Sequence, residues 1–518
     1  MLVKTFASAV QGVDARTITV EVNTGGNVGF DKPFYHLVGL PDSAIREGIM
    51  RMEPALKNSG YEIIRIKTIV NLAPADIRKE GAAYDLPIAL AYLAGSRQIQ
   101  ATELDKYVIM GELSLDGSLR PIKGALPIAI QARREKFKGI ILPKANAREA
   151  AIVNDIAVYG VNNLAEAAAF LDGRQELTPT FVETRDEFAA HEGTYDVDFS
   201  DVRGQENIKR ALEIAAAGGH NVILIGPPGA GKTMLARRLP TILPPLNLHE
   251  ALETTKIHSV AGVLPAGSAL VTQRPFRSPH HTISDVALVG GGSNPMPGEI
   301  SLAHHGVLFL DELPEFKRTV LEVMRQPMEE RRVTISRAKI TVDYPASFML
   351  VASMNPCPCG YFNHPEKECV CGPAVVQRYL NKISGPLLDR IDLHVEVTPV
   401  SFDELASDAR PTVTSKDIRQ RVIQAGVAQE ERFRELPNIF SNAQMPSRMV
   451  REVCQINQAG SILIKKAMER LKLSARAYDR ILKVARTVAD LGGSPDIKIE
   501  HLAEAIHFRS LDREGWME

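Results

Sequence analysis

A glycine-rich segment that follows an apolar run is the first candidate for chemistry. Val222 to Ile225 are consecutive apolar residues, as in a buried strand, and Leu235 and Leu239 then recur with a helical period. The eight residues after Ile225 are Gly226, Pro227, Pro228, Gly229, Ala230, Gly231, Lys232 and Thr233. Between a strand and a helix, such glycines let backbone N–H groups close around phosphate oxygens. We therefore predict an ATP-binding loop, in which Lys232 reaches the β- and γ-phosphates and Thr233 binds Mg²⁺.

Two further apolar runs end in polar residues that suit phosphate chemistry. Residues 307–310 predict a central strand, and Asp311 and Glu312 follow it directly. In this position we expect Asp311 to hold Mg²⁺ and Glu312 to orient or activate the attacking water. Residues 348–354 predict another buried strand, and Asn355 at its end is a candidate to hydrogen-bond the water or the γ-phosphate. Taken alone, Asn355 could equally be an ordinary turn residue.

Four of the five cysteines lie in two matched Cys-X-Cys-Gly pairs. The candidate ligands are Cys357, Cys359, Cys369 and Cys371. Four thiolates favour a closed structural Zn²⁺ site, although the usual spacing has two residues between paired cysteines. The alternatives are four free thiols or a redox pair. For the histidine pairs we expect loop packing or hydrogen bonds, since no metal-binding spacing connects them: His280, His281, His304 and His305.

A basic segment before the third apolar run has the alternation of a β-hairpin. Apolar residues recur at every second position on both arms, at Val333 and Ile335 and then at Ile340 and Val342. The cations are Arg331 and Arg332 at its base, and Arg337 and Lys339 near its tip. We expect these cations to follow the phosphates of a DNA strand without reading the bases. The alternative is a solvated basic turn, whose charge also limits edge-to-edge pairing of strands.

The overall composition restricts where a DNA site can lie. The chain has 518 residues, of which 45% are hydrophobic and 24% charged, and its formal net charge is -1. This balance excludes a strongly basic nucleic-acid-binding protein, so any DNA site must be local. The sequence has no apolar run long enough to span a bilayer, and residues 1–7 lack an apolar signal core. We therefore expect a cytoplasmic protein without membrane contact.

Changes in pattern divide the chain into four segments. The first shows strand and helix patterns, with apolar alternation at Ile18, Val20 and Val22, and the second combines Gly, Pro, Thr and charges without a sustained period. The third holds the phosphate loop and the acidic pair, and the fourth turns helical. We predict an α/β domain, a linker, a parallel-sheet P-loop domain and a helical lid, at residues 1–172, 173–198, 199–400 and 401–518.

The order of these motifs resembles that of AAA+ ATPases, and further segments resemble one family among them. The segments that carry this closer resemblance are residues 274–281, 297–304, 384–392 and 474–478. They make the chain similar to the YifB/ComM family of magnesium-chelatase-like ATPases over nearly its whole length. The resemblance implies a ring, expected to be a hexamer, with ATP bound between subunits.

The same resemblance implies roles for two arginines. Arg390 is similar to an arginine finger, which enters the neighbouring subunit's site and stabilises charge on the phosphoryl oxygens. Its alternative is an ion pair with Asp389 or Asp392. Arg476 resembles a sensor arginine on the lid that contacts the γ-phosphate, and Arg480 is the weaker candidate one turn further on.

Two N-terminal segments, residues 79–87 and 111–122, resemble the peptidase domain of Lon proteases. Lon proteases use a serine nucleophile with a lysine as its base. On these segments Ala83 aligns with the serine and Leu126 with the lysine, and neither side chain can do this chemistry. The resemblance therefore implies a Lon-protease-like α/β domain without peptidase activity, which is a feature of the YifB type.

For function, the resemblance implies a motor that couples ATP hydrolysis to translocation of single-stranded or branched DNA. Within the family it implies branch migration or helicase activity in the recombination of imported DNA during natural transformation. Two alternatives stay open, a metal-insertion motor and an ATP-driven protein remodeller. Against metal insertion, we expect the chelatase motor subunit to resemble only the ATPase part. Against a remodeller, no obvious aromatic–glycine pore loop precedes Asp311.

Overall fold

Apolar runs and apolar alternation organise the chain into two sheets and a set of helices. The computed structural model describes residues 1–27, 34–190, 195–265, 267–337, 340–362, 364, 366–400, 413–436, 439–471 and 473–509. Within these residues, the structure confirms the predicted α/β class: a mixed sheet is followed by a parallel sheet and then by helices.

The N-terminal part is built on a mixed sheet. Its strands are β1 (Leu2–Gln11), β2 (Asp14–Asn27), β3 (Phe34–Val38), β4 (Ile66–Ala73), β5 (Tyr107–Ile109), β6 (Glu112–Leu113), β7 (Leu119–Arg120), β8 (Gly139–Pro143) and β9 (Ala157–Val161). Strands β6 and β7 form a separate pair, and the other seven have the order β3-β4-β2-β1-β5-β8-β9. The predicted alternation in β2 is confirmed, because Ile18, Val20 and Val22 are fully buried.

Six helices accompany this first sheet. They are α1 (Ser43–Asn58), α2 (Asp85–Gly95), α3 (Ala125–Arg134), α4 (Lys144–Ala150), α5 (Leu164–Leu171) and α6 (Thr184–Ala190). Helix α6 lies in the segment predicted as a linker, where the composition indicated no regular structure. The Thr184 hydroxyl donates to the Ile152 carbonyl at 3.1 Å, so this part of the segment packs on the N-terminal domain.

The second sheet positions the predicted phosphate site. The strands that follow the first part are β10 (Val222–Ile225), β11 (Phe276–Arg277), β12 (Gly290–Gly291), β13 (Met296–Pro297), β14 (Val307–Leu310), β15 (Arg332–Arg337), β16 (Ile340–Pro345), β17 (Met349–Met354) and β18 (Leu393–Glu396). Five of them form a parallel sheet in the order β11-β14-β17-β10-β18. Every residue of β10, β14 and β17 is buried, as the apolar runs predicted.

Helices surround the parallel sheet and form the C-terminal part. They are α7 (Glu206–Gly218), α8 (Lys232–Arg238), α9 (Leu248–Ala261), α10 (Asp285–Val289), α11 (Glu299–Leu302), α12 (Arg318–Glu322), α13 (Arg325–Glu330), α14 (Pro373–Leu380), α15 (Gly385–Leu388), α16 (Ser415–Phe433), α17 (Ser447–Val453), α18 (Gln458–Leu471), α19 (Ala475–Leu491) and α20 (Ile499–His507). Helix α19 buries Ile481, Val484 and Val488 against its neighbours. Among the described residues, no helix combines the length and apolar character needed to cross a bilayer.

One insertion connects the two α/β parts. In the sequence, residues 254–298 are too long for a simple connection, which predicts an insertion loop. In the structure they hold the second half of α9, strand β11, helix α10 and the β12–β13 pair. Ala269 and Leu270 of the insertion share one apolar cluster with the N-terminal sheet, as do Leu246 and Ala251 just before it. The insertion is therefore a packed bridge between the two parts and not a free loop.

Candidate functional site

The phosphate loop leaves the parallel sheet at the end of β10. Gly229 and Gly231 have φ values of 79° and 84°, in the left-handed region that favours glycine, and α8 begins at the next residue, Lys232. The Lys232 ammonium donates to the carbonyl oxygens of Gly226 at 2.7 Å and of Pro227 at 3.0 Å. Burial lowers the pKa of Lys232, and this shift is opposed by two carboxylates at the end of β14. The loop therefore holds its cation inside the predicted phosphate site.

Three of the predicted polar residues, Thr233, Asp311 and Asn355, lie near this cation because β17 lies between β10 and β14. Asn355 Oδ1 accepts from Lys232 Nζ at 3.1 Å, which brings the candidate sensor to the phosphate loop. The Thr233 hydroxyl donates to Asp311 Oδ2 at 2.8 Å, and the Ser353 hydroxyl donates to Asp311 Oδ1. A hydroxyl beside a carboxylate is a set of oxygen donors that fits Mg²⁺.

These residues line one open cavity of about 440 Å³. Its lining comprises Pro228, Gly229, Ala230, Gly231, Lys232, Thr233, Met234, Asp311, Glu312, Ser353, Met354 and Asn355. Backbone N–H groups, an ammonium and acidic oxygens thus surround a single space, which is the donor set that a nucleotide triphosphate with Mg²⁺ requires. Sequence reasoning did not identify Ser353, because a serine inside an apolar strand gives no signal of its partner.

Glu312 has a neighbour that the sequence did not indicate. Its backbone has φ 54°, a left-handed conformation that is uncommon for a residue with a side chain. Its carboxylate is half-exposed, and its Oε2 lies 3.7 Å from Nδ1 of His281. The chain thus carries a histidine at the carboxylate expected to act on the water. The His281 ring packs against the His280 ring at a tilt of 33°, with centroids 4.1 Å apart, so this pair shows the expected loop packing.

The second histidine pair makes hydrogen bonds. The Ser347 N–H donates to His304 Nδ1 at 3.0 Å, so the neutral ring carries its proton on Nε2, which faces Glu253 at 3.5 Å. Burial lowers the pKa of His304 to about 4, which keeps the ring neutral. His305 Nε2 lies 3.0 Å from the same carboxylate. Although the three side chains are close enough to share an ion, a protonated His304 Nε2 has no lone pair for a metal.

Arg390 and Arg476 lie away from their own chain's cavity lining. Arg390 is nearly buried and pairs with Glu329, its guanidinium Nη2 being 2.6 Å from the carboxylate. The alternative partners Asp389 and Asp392 were therefore wrong. Burial lowers the pKa of Arg390 and Glu329 opposes this shift, while three nearby cations lower it further: Arg325, Arg476 and Arg480. Arg390 and the exposed Arg476 thus belong to one basic surface, and neither residue lines this subunit's own phosphate cavity.

Arg480 has a structural partner. Its guanidinium lies 2.8 Å from Asp392, which is buried. Although burial raises the pKa of Asp392, Arg480 and the buried His220 hold it below its ordinary value. His220 in turn lies 2.8 Å from the Thr487 hydroxyl on α19. This network attaches helix α19 to the edge of the parallel sheet, so Arg480 serves the packing of this C-terminal helix.

The cysteine pairs converge as the spacing predicted. All four sulfur atoms lie within 4.8 Å of one another, and three of the Sγ–Sγ distances are 3.3, 3.6 and 3.7 Å. Tetrahedral zinc with bonds of about 2.3 Å requires sulfurs about 3.8 Å apart, so the group fits Zn²⁺. Gly360, at φ 85°, packs so closely on Pro228 that an added Cβ would lie 2.5 Å from the proline ring. The segment that holds the four cysteines, residues 357–372, is called the cysteine knuckle below. It therefore contacts the phosphate loop directly.

The predicted basic hairpin is present. Strand β15 pairs with β16 from Arg332 opposite Pro345 to Arg337 opposite Ile340. Arg337 and Arg332 are exposed, and Arg332 lies 3.5 Å from Glu330. Arg331 is half-buried, and its burial lowers its pKa, so it is placed less favourably than Arg337 for contact with an external phosphate. Lys339 lies outside the described residues.

Two other arginines proved to be structural. From the sequence, Arg274 and Arg277 on the insertion were candidates for DNA or subunit contacts. In the structure, Arg274 donates to the carbonyl oxygens of Pro244 at 2.6 Å and His305 at 2.8 Å. Arg277 makes a bidentate ion pair with Glu299, in which Nε donates to Oε2 at 2.6 Å and Nη2 donates to Oε1 at 2.7 Å. Both guanidinium groups are occupied within the subunit.

The Lon-like segments line a separate cavity of about 540 Å³ at the junction with the ATPase part. Ala83 lies in its wall, and Leu126 is fully buried in α3. Among the described residues of this lining, only Ser8 has a hydroxyl on an aliphatic side chain, and it donates to the Arg16 carbonyl at 3.2 Å. The positions aligned with the peptidase pair thus carry no nucleophile and no base.

Comparisons with known proteins agree with this architecture. Residues 198–405 match the family model described as magnesium chelatase, subunit ChlI, and residues 412–509 match the model of its C-terminal part. Residues 20–146 match the model described as subunit ChlI of Mg-chelatase. The expectation that the chelatase resemblance is limited to the ATPase part was therefore wrong.

Relatives that match over nearly the whole chain identify the family more closely than the domain models do. The chain is 42% identical to competence protein ComM of Haemophilus influenzae, covering 98% of this chain and 97% of that protein. It is 44% identical to YifB of Escherichia coli, covering 98% of this chain and 96% of that protein. Lon protease 2 of Bacillus subtilis is 32% identical over 150 residues, which are 27% of this chain and 26% of that protein. The chain therefore belongs to the YifB/ComM family of magnesium-chelatase-like AAA+ ATPases.

Proposed function

We propose that this AAA+ ATPase assembles into a ring and uses ATP hydrolysis to move a DNA strand, with branch migration of recombination intermediates as its reaction. One observation supports the ATPase part of this proposal. Four side chains lie together at one edge of the parallel sheet, those of Lys232, Thr233, Asp311 and Asn355. The exposed arginines of the β15–β16 hairpin, Arg332 and Arg337, support the DNA part. The name of the relative ComM supports a role in natural transformation.

Five side chains of the cavity and the amides of the phosphate loop have proposed roles in ATP hydrolysis. Lys232 binds the β- and γ-phosphates, and the loop amides bind the remaining phosphate oxygens. Thr233 and Asp311 would hold Mg²⁺, which neutralises negative charge on the phosphates. Glu312 accepts the proton of the attacking water, and Asn355 orients that water or the γ-phosphate.

Two arginines complete the site from the adjacent subunit. Arg390 and Arg476 share a basic surface that is separate from the cavity lined by their own chain. Cationic side chains at a nucleotide site stabilise the charge that develops during phosphoryl transfer. A closed ring, expected to be a hexamer, brings this surface to the neighbour's ATP, so hydrolysis depends on assembly.

The hairpin arginine gives a direct test of DNA contact. We expect Arg337→Glu to weaken binding of single-stranded DNA and to reduce the slope of log K against log salt by about 0.7, because one phosphate contact is lost. Fluorescence anisotropy across a salt series measures both quantities. Arg448→Glu, at an exposed arginine on α17, makes the same charge change elsewhere and should bind like the unmodified protein. Equal losses in both variants would remove the hairpin from the DNA site.

The proposed reaction is tested with a labelled three-strand junction, ATP and assembled rings. We expect the unmodified protein to displace the labelled strand, whereas Glu312→Gln binds the junction without displacing it. If rings hydrolyse ATP but displace no strand, the DNA-motor proposal is wrong. The metal-insertion and protein-remodelling alternatives would then be tested by capture of partners.

We also propose that the cysteine knuckle holds structural Zn²⁺. Protein purified without chelators should contain one zinc per chain by mass spectrometry of the metal, and Cys369→Ser should lose it. The same change should raise the KM for ATP, because the knuckle packs on Pro228 of the phosphate loop. Cys454→Ser, at a buried cysteine outside the knuckle, should keep its zinc. Absence of zinc from the unmodified protein would contradict the assignment.

A further inference from the structure

We propose that Glu329 is a positioning residue that holds Arg390 back from the neighbouring subunit's ATP until the basic hairpin binds DNA. The inference rests on the proposed role of Arg390 as an arginine finger. It adds a control element to that role, and the element lies at the base of the hairpin.

The first step is that Arg390 is occupied within its own subunit. Its Nη2 lies 2.6 Å from Glu329 Oε1, and its Nη1 donates to the Pro386 carbonyl at 2.6 Å. Only 8% of the Arg390 side chain is exposed. A guanidinium held in this way has no free face for phosphate oxygens. Arg390 must therefore leave Glu329 before it can enter another site.

The second step is that Arg390, in its contact with Glu329, does not make all the hydrogen bonds that its guanidinium can donate. Within the described part of the chain, Arg390 Nε is buried without a hydrogen-bond partner. Like charges also oppose this position, because Arg325, Arg476 and Arg480 all act on Arg390. A buried donor without a partner and nearby like charges both cost free energy. The Glu329 carboxylate offsets this cost, so weakening its contact releases Arg390.

The third step is that Glu329 can be displaced. Its side chain is 51% exposed, so solvent and salt reach the ion pair. A triphosphate carries more negative charge than one carboxylate and accepts paired hydrogen bonds from a guanidinium. The neighbour's ATP is therefore a stronger partner for Arg390 than Glu329 once the two subunits are in register.

The fourth step connects the ion pair to the hairpin. Glu329 lies near the end of α13, and β15 begins only three residues later at Arg332. The Arg331 N–H donates to the Pro327 carbonyl at 2.9 Å, and the Ala346 N–H donates to the Arg331 carbonyl at 2.8 Å. Helix α13 and both hairpin strands are thus joined by backbone hydrogen bonds. A short hydrogen-bonded path therefore connects the hairpin to Glu329, and DNA bound at the hairpin would act on Glu329 through it.

The test compares Glu329→Gln with Glu330→Gln in DNA-free and DNA-stimulated ATP hydrolysis, at concentrations where light scattering shows assembled rings. Glu330 is the matched control, because it is half-exposed on the same helix and faces Arg332 instead of Arg390. We expect Glu329→Gln to raise the DNA-free rate about two- to five-fold, the range for a partly exposed ion pair, and to reduce DNA stimulation by the same factor. Glu330→Gln should behave like the unmodified protein.

Outcomes for this proposal are separable from those for the arginine finger. If Arg390→Ala hydrolyses ATP normally, the finger role itself is wrong. If Arg390→Ala is inactive but Glu329→Gln lowers the DNA-free rate or leaves DNA stimulation unchanged, the holding role of Glu329 is wrong. In the Arg390→Ala background, Glu329→Gln should produce no gain. An equal gain in both backgrounds would show that Glu329 acts without Arg390 and would overturn the proposal.

Discussion

Replacing Arg390 by alanine is expected to lower the rate of ATP hydrolysis by roughly 10³- to 10⁵-fold, the range for loss of an arginine finger. The reason is that an arginine finger stabilises the negative charge on the phosphoryl oxygens during transfer, and the alanine side chain cannot do so. ATP binding should persist, because the cavity lining does not include Arg390. Steady-state hydrolysis at saturating ATP, with the ring assembled, measures the effect.

Mixed rings show whether Arg390 acts across the subunit interface. An Arg390→Ala subunit keeps its own Glu312, and a Glu312→Gln neighbour can supply the missing arginine, so mixing two inactive variants should restore part of the activity. Arg448→Ala is the matched control, because that arginine is 93% exposed and has no proposed role in ATP hydrolysis. If mixed rings form but never hydrolyse ATP, action of Arg390 across the interface is contradicted.

Glu312→Gln has the second largest expected effect. Loss of the proton acceptor should reduce turnover by about 10²- to 10⁴-fold, the usual contribution of general acid–base catalysis, while ATP affinity is retained. The amide keeps the shape of the side chain but cannot take a proton from water at neutral pH. Equilibrium binding of a fluorescent ATP analogue together with phosphate release measures both quantities.

A neighbouring acid provides the control for Glu312. Glu315 lies three residues further on and pairs with Lys382 at 3.1 Å on an exposed surface. Glu315→Gln removes the same charge near the cavity and should change turnover little, because exposed ion pairs contribute little free energy. Similar losses in both variants would mean that local charge, and not proton transfer by Glu312, determines the rate.

Much of the fold was predictable because its signals are local. Every residue of the short strands β10, β14 and β17 is buried, and all of them except Ser353 are apolar, while strand β2 alternates with the pleat. The phosphate loop is contiguous in sequence, so its residue types indicate its chemistry without knowledge of the rest of the chain. The two cysteine pairs are also close in sequence, and their convergence follows from short loops.

Other features were not predictable, because they depend on contacts between distant segments. Helix α6 lies in a segment whose composition suggests a linker, and it is retained by contact with the N-terminal domain. Residues of the insertion complete the apolar cluster of the N-terminal sheet, which no periodicity in either segment reveals. The sequence suggested Arg274 and Arg277 as contacts for DNA or another subunit, but backbone carbonyl oxygens accept from Arg274 and Glu299 pairs with Arg277.

The sequence by itself determined the residue types at the nucleotide site, the apolar strands that carry them and the family to which the chain belongs. Only the tertiary structure decided which partners those side chains meet: Ser353 at Asp311, His281 at Glu312, and Glu329 at Arg390. The physical reason is that a charged side chain selects its partner by distance and burial. Both depend on strand order and helix packing, which bring together residues far apart along the chain.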